Sequence, residues 1–522
     1  MMSVLTLVSR ATGFIRTWAM AFALGNTVIA ASYSLANNLP NMIYELVAGG
    51  VLSTAFLPIY LQQRNARSRE DANAYASNLL SLVIVFLGVI ALLASIFAPQ
   101  VMVTQSLFSS AASETVENAV WLFRFFAFQI IFYGLSAVFG GLLNAERSYF
   151  WPAVSSIFMN AITIVTFFAY PFVSDADAQA GLTLLAVGTT LSIAVMAFVQ
   201  VPALVKCGFK YRFFIDLRGE GLHETILLAL PAIACTAINL VSLSFMNSCA
   251  LHVASNGPAS VSYAWMWYQF PYGVLGVALS TALFTEMSDC MSHGDVRGFK
   301  KHLNLGLRST WFLIIPMAVM LFVCSDELIG LYTAGKFTAS DISPIARLLC
   351  GWACALPLYA SYMFLYRAYS SLKDLKTIAI CNLFLTIIQV TLYMVFTGVI
   401  AVPGLTTLGL VGLAVGDIVF YALMNIVLLV IMRLRMGSFQ LGGMVVSMLK
   451  LLVASAVGGA VAEFTSHAIT NVIDISNIAG SFIALIIVGA VGLTVIFIMC
   501  RILDVQEVTG VVSRVKSRFK RR

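Results

Sequence analysis

The feature that most constrains this chain is a succession of apolar runs, each about 20 residues long, that recur along its 522 residues. A helix that rises about 1.5 Å per residue crosses a hydrocarbon core of about 30 Å in such a run. Hydrophobic residues make up 60% of the chain and charged residues 10%, against roughly a quarter charged in ordinary soluble domains. The runs are too long and too uniformly apolar for barrel strands, so we predict an all-α polytopic membrane protein.

Fourteen transmembrane helices are predicted from these runs and from the polar breaks between them. Their ranges are 2–24, 28–62, 74–98, 118–143, 151–173, 180–204, 224–252, 261–288, 304–325, 341–367, 377–400, 408–432, 440–463 and 477–502. We expect two pseudo-symmetric six-helix lobes around a central cavity, in residues 1–220 and 221–437. Two extra helices in 438–503 and a basic cytoplasmic tail in 504–522 follow them.

Lysines and arginines between the predicted helices fall mostly in every second loop. They cluster in residues 64–69, 206–218, 297–301, 373–376 and 433–435. The opposite loops hold little more than Lys336 and Arg347. This asymmetry predicts that both termini lie in the cytoplasm. The basic tail and the formal net charge of +7 suit the anionic lipids of the cytoplasmic leaflet, and nucleic acid is not expected as a partner.

A weak internal repeat supports the two lobes. The stretch GVLSTAF in the second helix resembles VALSTAL in the eighth, with an offset of 227 residues between Leu52 and Leu279. Asn160 and Asn382 are separated by a similar offset of 222 residues. Because six helices is an even number, both halves enter the membrane the same way up, as in transporters that work by alternating access.

Two arginines in the first predicted helix are the strongest candidate site. Arg10 lies about 14 Å along this helix, and the spacing places Arg10, Gly13 and Arg16 within an arc of about 120°. An arginine at membrane depth is costly unless it faces protein or a wet cavity, and its guanidinium binds phosphate bidentately. A diphosphate is therefore the expected ligand. The structural alternative is that each arginine pairs with an acid or with helix-end carbonyls.

The second helix carries a polar stripe that we expect to line the cavity. Its members are Ser34, Asn37, Asn38, Asn41 and Glu45, at helical spacing. Pro40 lies within the stripe and removes a backbone hydrogen bond, so this helix is the one expected to bend. Glu45 would pair with an arginine in the empty state. The alternative is a polar network that only joins two helices.

Two further intramembrane charges are candidates. Arg124 either lines the cavity or extends outward to the membrane surface. Asp417, well inside the twelfth helix, is a candidate cation or proton site, although a purely structural role is the simpler interpretation.

An enzymatic activity is not indicated, and no metal or cofactor is expected. Gly330, Gly335 and Lys336 match the start of a phosphate-binding loop, but Phe337 occupies the position where a serine or threonine must hold magnesium.

Several stretches resemble the MurJ (MviN) family of lipid II flippases, within the multidrug/oligosaccharidyl-lipid/polysaccharide exporter superfamily. They are SRATGFIR at 9–16, NLPNMIYEL at 38–46, GGVLS at 49–53, YQFPYG at 268–273, LSTALF at 279–284 and RAYS at 367–370. The resemblance covers the full length of the chain, and the order and spacing of the motifs carry it.

The resemblance implies a flippase that carries lipid II, an undecaprenyl-diphosphate-linked disaccharide peptide, across the cytoplasmic membrane of a bacterium. Arg10 and Arg16 match arginines that hold the diphosphate. Ser9, Gly13 and Gln269 are further candidates for the cavity lining. Asn382 would keep one ligand of an ion site. Coupling by the membrane potential or by a monovalent cation is expected, and proteins of cell-wall synthesis are candidate partners.

The chain departs from this family where many members carry charged residues, at Ala31, Tyr44, Leu243 and Met266. Two alternatives to lipid II transport therefore stay open. One is an exporter of another polyprenyl-linked glycan or of drugs, and the other is a membrane scaffold that does not transport.

Overall fold

The computed structural model describes residues 2–45, 56–66, 68–109, 113–216, 220–437, 441–474 and 476–505. The described residues are almost entirely helical and contain no strand, which confirms the predicted all-α class. The side chain of Glu45, the repeat motif at residues 50–55 and the basic tail beyond residue 505 lie outside what the structure describes.

The chain divides into two compact units, Met1–Ala259 and Ser260–Arg522. The helices that begin in the first unit are α1 (Met2–Leu24), α2 (Val28–Glu45), α3 (Leu57–Ala66), α4 (Arg69–Ile96), α5 (Ala98–Val103), α6 (Glu114–Phe126), α7 (Gln129–Ala145), α8 (Phe150–Ser174), α9 (Ala178–Phe198), α10 (Val201–Lys206), α11 (Glu220–Val253) and α12 (Gly257–Pro271). The predicted lobe boundary at residue 220 stays a prediction.

The second unit takes in most of α12 and all later helices. These are α13 (Val277–Ser292), α14 (Val296–Val323), α15 (Ser325–Gly330), α16 (Ile342–Ser371), α17 (Leu375–Thr397), α18 (Val411–Met436), α19 (Leu441–Thr470) and α20 (Ile478–Ile502). A π-helical turn, Tyr272–Gly276, joins α12 to α13 directly after Pro271, which has no backbone N–H to donate.

The predicted count of fourteen spans is not confirmed. Among the described residues, eleven helices are long and apolar enough to cross a membrane, or twelve if the bent pair α6 and α7 forms one span. Neither α1 nor α2 is in this set. They are the two helices that carry the polar candidate site, and residues such as Arg10, Arg16 and Asn41 lower their hydropathy.

The predicted single helix at 118–143 is broken into α6 and α7, which meet at an angle of 45°. Side-chain hydroxyls from neighbouring helices bond the carbonyls at the break. Ser95 of α4 donates to the carbonyl of Arg124 (2.9 Å), and Thr190 of α9 donates to that of Phe125 (3.4 Å). A helix bends where such groups take over its internal hydrogen bonds.

Close helix packing in the second unit depends on small residues. A Cβ atom at Gly306 of α14 would lie 1.9 Å from Cζ of Phe364 in α16, so only glycine fits this contact. Nearby, the indole N–H of Trp311 donates to the hydroxyl of Ser361 (2.7 Å) and links the same two helices.

Candidate functional site

Arg10 and Arg16 both lie within α1, as predicted, and both side chains are partly buried. Among the described side chains, no carboxylate lies within 4.0 Å of either guanidinium. Arg16 is close enough to interact electrostatically with Tyr33 of α2. A guanidinium keeps its charge at any physiological pH, so two such cations without a described acidic partner are suited to an external anion.

One side chain of α8 holds α1 in its orientation. The amide of Asn160 donates to the hydroxyl of Thr12 (2.9 Å) and makes a longer bond to the carbonyl of Ser9 (3.4 Å). Thr12 itself donates to that same carbonyl (2.9 Å). A Cβ atom at Gly13 would lie 3.9 Å from the Asn160 amide nitrogen, so this face of α1 is turned toward α8. The predicted role of Ser9 and Gly13 in lining a cavity stays a prediction.

The polar stripe of α2 is bonded to α7. The hydroxyl of Tyr133 donates to the side-chain oxygen of Asn41 (2.5 Å), whose amide donates to the carbonyl of Asn37 (2.9 Å). Asn37 and Asn38 are partly exposed. The hydroxyl of Ser34 is buried and has no hydrogen-bond partner among the described residues.

The structure places two other candidates at exposed positions. Arg124 lies in the last turn of α6, next to the bend, and its side chain is exposed. Gln269 is exposed near the end of α12. The residue that the sequence did not single out here is Gln129, at the start of α7, which is fully buried with neither side-chain amide atom bonded to a described residue.

Asp417 of α18 is the centre of a buried hydrogen-bond network in the second unit. Its Oδ2 accepts from the indole N–H of Trp352 in α16 (2.7 Å). Its Oδ1 accepts from the amide of Gln389 (2.7 Å) and from the hydroxyl of Tyr393, both in α17. Sequence reasoning selected Asp417 but not these partners, because they belong to two other helices.

Asn382 is fully buried and lies on the same face of α17 as two of these partners. Asn382, Thr386, Gln389 and Tyr393 follow one another at steps of four, three and four residues, and all four are buried. Thr386 donates to the side-chain oxygen of Asn382 (3.3 Å). This helix buries its polar side chains and exposes apolar ones such as Phe384 and Ile387, which is the reverse of the pattern in a soluble helix.

Together, the long apolar helices and the polar residues buried between them define a multi-pass membrane protein. The structure is similar to a solved structure described as "Lipid II flippase MurJ, inward closed conformation", with a TM-score of 0.78 at 23% identity over 96% of this chain and 99% of that one. It is also similar to an inward-facing multidrug resistance MATE family transporter of the MOP superfamily, with a TM-score of 0.67 at 16% identity over 83% and 98%.

The profile of the family described as "Lipid II flippase MurJ" matches residues 20–482, and the chain belongs to this family. Curated relatives include the probable lipid II flippase MurJ of Rickettsia prowazekii (strain Madrid E), 24% identical over 79% of this chain and 78% of the relative. The lipid II flippase MurJ of Burkholderia cenocepacia is 26% identical over 77% and 78%. The matched range begins after Arg10 and Arg16, so the assignment of these two residues depends on their own chemistry.

Proposed function

We propose that this protein carries lipid II from the inner to the outer leaflet of the cytoplasmic membrane of a bacterium. The observation that carries the proposal is the pair Arg10 and Arg16, two permanent cations on one helix with no described carboxylate beside them. Membership of the lipid II flippase family supports the same substrate class.

Arg10 and Arg16 bind the diphosphate, the one strongly anionic group that every polyprenyl-linked carrier shares. Bidentate, charge-assisted hydrogen bonds make arginine better suited to this group than lysine. The prenyl tail stays in lipid, so the protein shields only the polar head. Membership of a flippase family supports alternating access between two lobes as the route.

The amides of the α2 stripe are suited to the sugar and peptide part of the head group. Asn37 and Asn38 are partly exposed and offer both donors and acceptors. Asn41 is held by Tyr133, which fixes the direction of its amide. In this proposal Ser9, Gly13, Arg124 and Gln269 complete the lining, and Glu45 pairs with an arginine when no substrate is bound.

Transport needs a source of free energy, and no nucleotide site is proposed. A membrane potential that is negative inside draws unoccupied cationic residues inward, at about 2.3 kcal/mol per charge per 100 mV. The loop charges favour an orientation with both termini in the cytoplasm. Anionic lipids would hold the basic tail, and cell-wall synthesis proteins would take up the flipped product.

The proposal is tested by lipid II translocation in vesicles that contain the purified full-length protein. Arg10→Ala and Arg16→Ala each remove charge-assisted bonds worth about 1.5–3 kcal/mol, which weakens diphosphate binding roughly 10- to 150-fold. Lysine at either position restores charge without the bidentate geometry and should recover only part of the activity. Arg501→Ala, at an exposed position in the last turn of α20, is the matched control.

Normal translocation by a well-folded Arg10→Ala, Arg16→Ala double variant would refute the proposal. The fold shared with a multidrug MATE transporter supports drug export as a second candidate. That function predicts that expression protects cells against cationic dyes, while lipid II stays in the inner leaflet of the vesicles.

A further inference from the structure

The network around Asp417 contains only neutral hydrogen-bond donors. Trp352, Gln389 and Tyr393 each direct an N–H or O–H at the carboxylate, and their exposed fractions are 0%, 5% and 1%. Asp417 itself is 3% exposed. Donors on both carboxylate oxygens are suited to the charged form of the group, although no cation is paired with it among the described residues.

The titratable groups that face this carboxylate are tyrosines. Tyr268 of α12 and Tyr421 of α18 both interact electrostatically with Asp417, and Tyr393 of α17 bonds it directly. Tyr359 of α16 packs against both Tyr268 (ring centroids 5.5 Å apart) and Tyr421 (5.3 Å). Among the described residues, no lysine, arginine or histidine is paired with Asp417.

A buried carboxylate without a cationic partner is costly in a membrane, so an ionisable group held there is by default a candidate for function. The shell is poorly arranged for a metal ion, because the atoms nearest the carboxylate are donor hydrogens rather than oxygen ligands. A proton needs only one of those donors to turn away.

We propose that Asp417 is a proton-binding site, and that the proton it takes up and releases contributes, together with the membrane potential, to the return of the transporter between substrate cycles. This inference depends on the proposed flippase function. The proton comes from water on one side of the membrane, forms an O–H bond on the Asp417 carboxyl group, and leaves to water on the other side.

Binding of the proton changes the contact between α17 and α18. The new O–H on Asp417 needs an acceptor, and the indole of Trp352 can only donate. Gln389 can turn its amide oxygen toward the carboxyl group, and the Tyr393 oxygen can accept. Both belong to α17, so α17 rearranges while the bond to α16 is kept.

The first test measures proton uptake directly, without substrate. Infrared spectra of the wild type as the pH is lowered should gain C=O bands of protonated, buried carboxyl groups, one of which belongs to Asp417. Asp417→Asn should lack one band that both the wild type and Glu327→Gln show, because Glu327 is a second buried carboxyl group. Asp374→Asn is the matched control, because Asp374 caps the same helix α17 and pairs with Arg435 at its exposed end. If Asp417→Asn keeps every protonated-carboxyl band of the wild type, the proposal is overturned.

If Asp417→Asn does not fold, Tyr393→Phe gives the same information. It removes one donor that stabilises the charged carboxylate, so the band should appear at a higher pH than in the wild type. An unchanged titration in Tyr393→Phe would also contradict the proposal.

The second test follows lipid II translocation in vesicles with an imposed pH gradient. The translocation rate of the wild type and of Asp374→Asn should change by up to about tenfold per pH unit of gradient. The translocation rate of Asp417→Asn should be independent of the gradient. A gradient response that survives in Asp417→Asn refutes the proton site but leaves the flippase function intact. Absence of translocation by the wild type under every condition refutes the flippase function, while the infrared result still decides the proton site. Sodium dependence at constant pH that Asp417→Asn abolishes would show a metal cation in place of the proton.

Discussion

The bond between Asn160 and Thr12 gives a direct test of how the candidate arginines are positioned. Asn160→Ala removes the α8 side chain that bonds Thr12 and the carbonyl of Ser9, on either side of Arg10 in α1. The Asn160 side chain is 3% exposed, so no water replaces it freely. Thr12 still donates to the carbonyl of Ser9, so the substitution leaves no unpaired hydroxyl hydrogen.

The expected cost follows from these contacts. One neutral hydrogen bond contributes about 0.5–1.5 kcal/mol net, and bonds between membrane helices average about 0.6 kcal/mol. The second bond, at 3.4 Å, adds little. We therefore expect Asn160→Ala to lose about 1 kcal/mol of stability. Lipid II translocation should fall several-fold rather than disappear, because Arg10 and Arg16 are still present.

A double-mutant cycle with Thr12→Val isolates the bond. Unfolding of the purified protein in lipid micelles should give a coupling energy of about 0.5–1.5 kcal/mol between the two positions. Thr163→Ala is the matched control on α8, because its hydroxyl bonds Ser192 of α9 (2.9 Å) and should not couple to Thr12. A coupling energy near zero would show that this bond does not position α1. The same conclusion would follow if a well-folded Asn160→Ala variant were as inactive as Arg10→Ala.

Two further predictions concern the second unit. Gly306→Ala forces a Cβ atom against the buried ring of Phe364 and should destabilise the protein by about 1–3 kcal/mol, seen as a lower Tm. Gly489→Ala is the control and should leave Tm unchanged, because no atom lies within 4 Å of its new Cβ. Equal Tm values for both variants would contradict the packing argument. Burial raises the pKa of Glu327 in α15 and outweighs the opposing effect of the hydrogen bond from Ser466. The protonated Glu327 side chain therefore contributes fully to stability below the ordinary carboxyl range, and this contribution is lost as the pH rises through the raised pKa. The gain in Tm of Glu327→Gln over the wild type should therefore be largest above the raised pKa and should shrink as the pH falls below the ordinary carboxyl range. A difference that stays constant with pH would refute this assignment.

Hydropathy was sufficient to predict most of the fold, because a long apolar run in a membrane has little choice but to form a helix. The predicted helix at 477–502 agrees with α20, where Asn477 accepts from the N–H of Gly480 and fixes the first turn. The predicted start of the third span at residue 74 is too late. Ser68 caps α4 by accepting from the N–H of Asp71, so the helix begins at Arg69 in polar sequence.

The candidate site was predictable only in part. A charge or amide inside an apolar run is visible in the sequence, which is why Arg10, Asn41 and Asp417 could be selected. The partners of Asn41 and Asp417 could not, because Tyr133 and Trp352 lie 92 and 65 residues away from them in the sequence. The polar spacing along α17 was a readable signal that the prediction did not use.

The two units hold charges of different kinds, and this difference bears on mechanism. The charge of Arg10 and Arg16 cannot be switched off at physiological pH, so it can select an anion but cannot respond to a proton gradient. The charge of Asp417 can be removed by one proton, and its described partners, Trp352 among them, are neutral donors. A transporter coupled to protons needs both a site for its cargo and a group whose charge changes once per cycle. Since arginine supplies only the first, a titratable group elsewhere in the chain is required if a proton gradient contributes to transport, and Asp417 is the buried carboxylate with the contacts to do so.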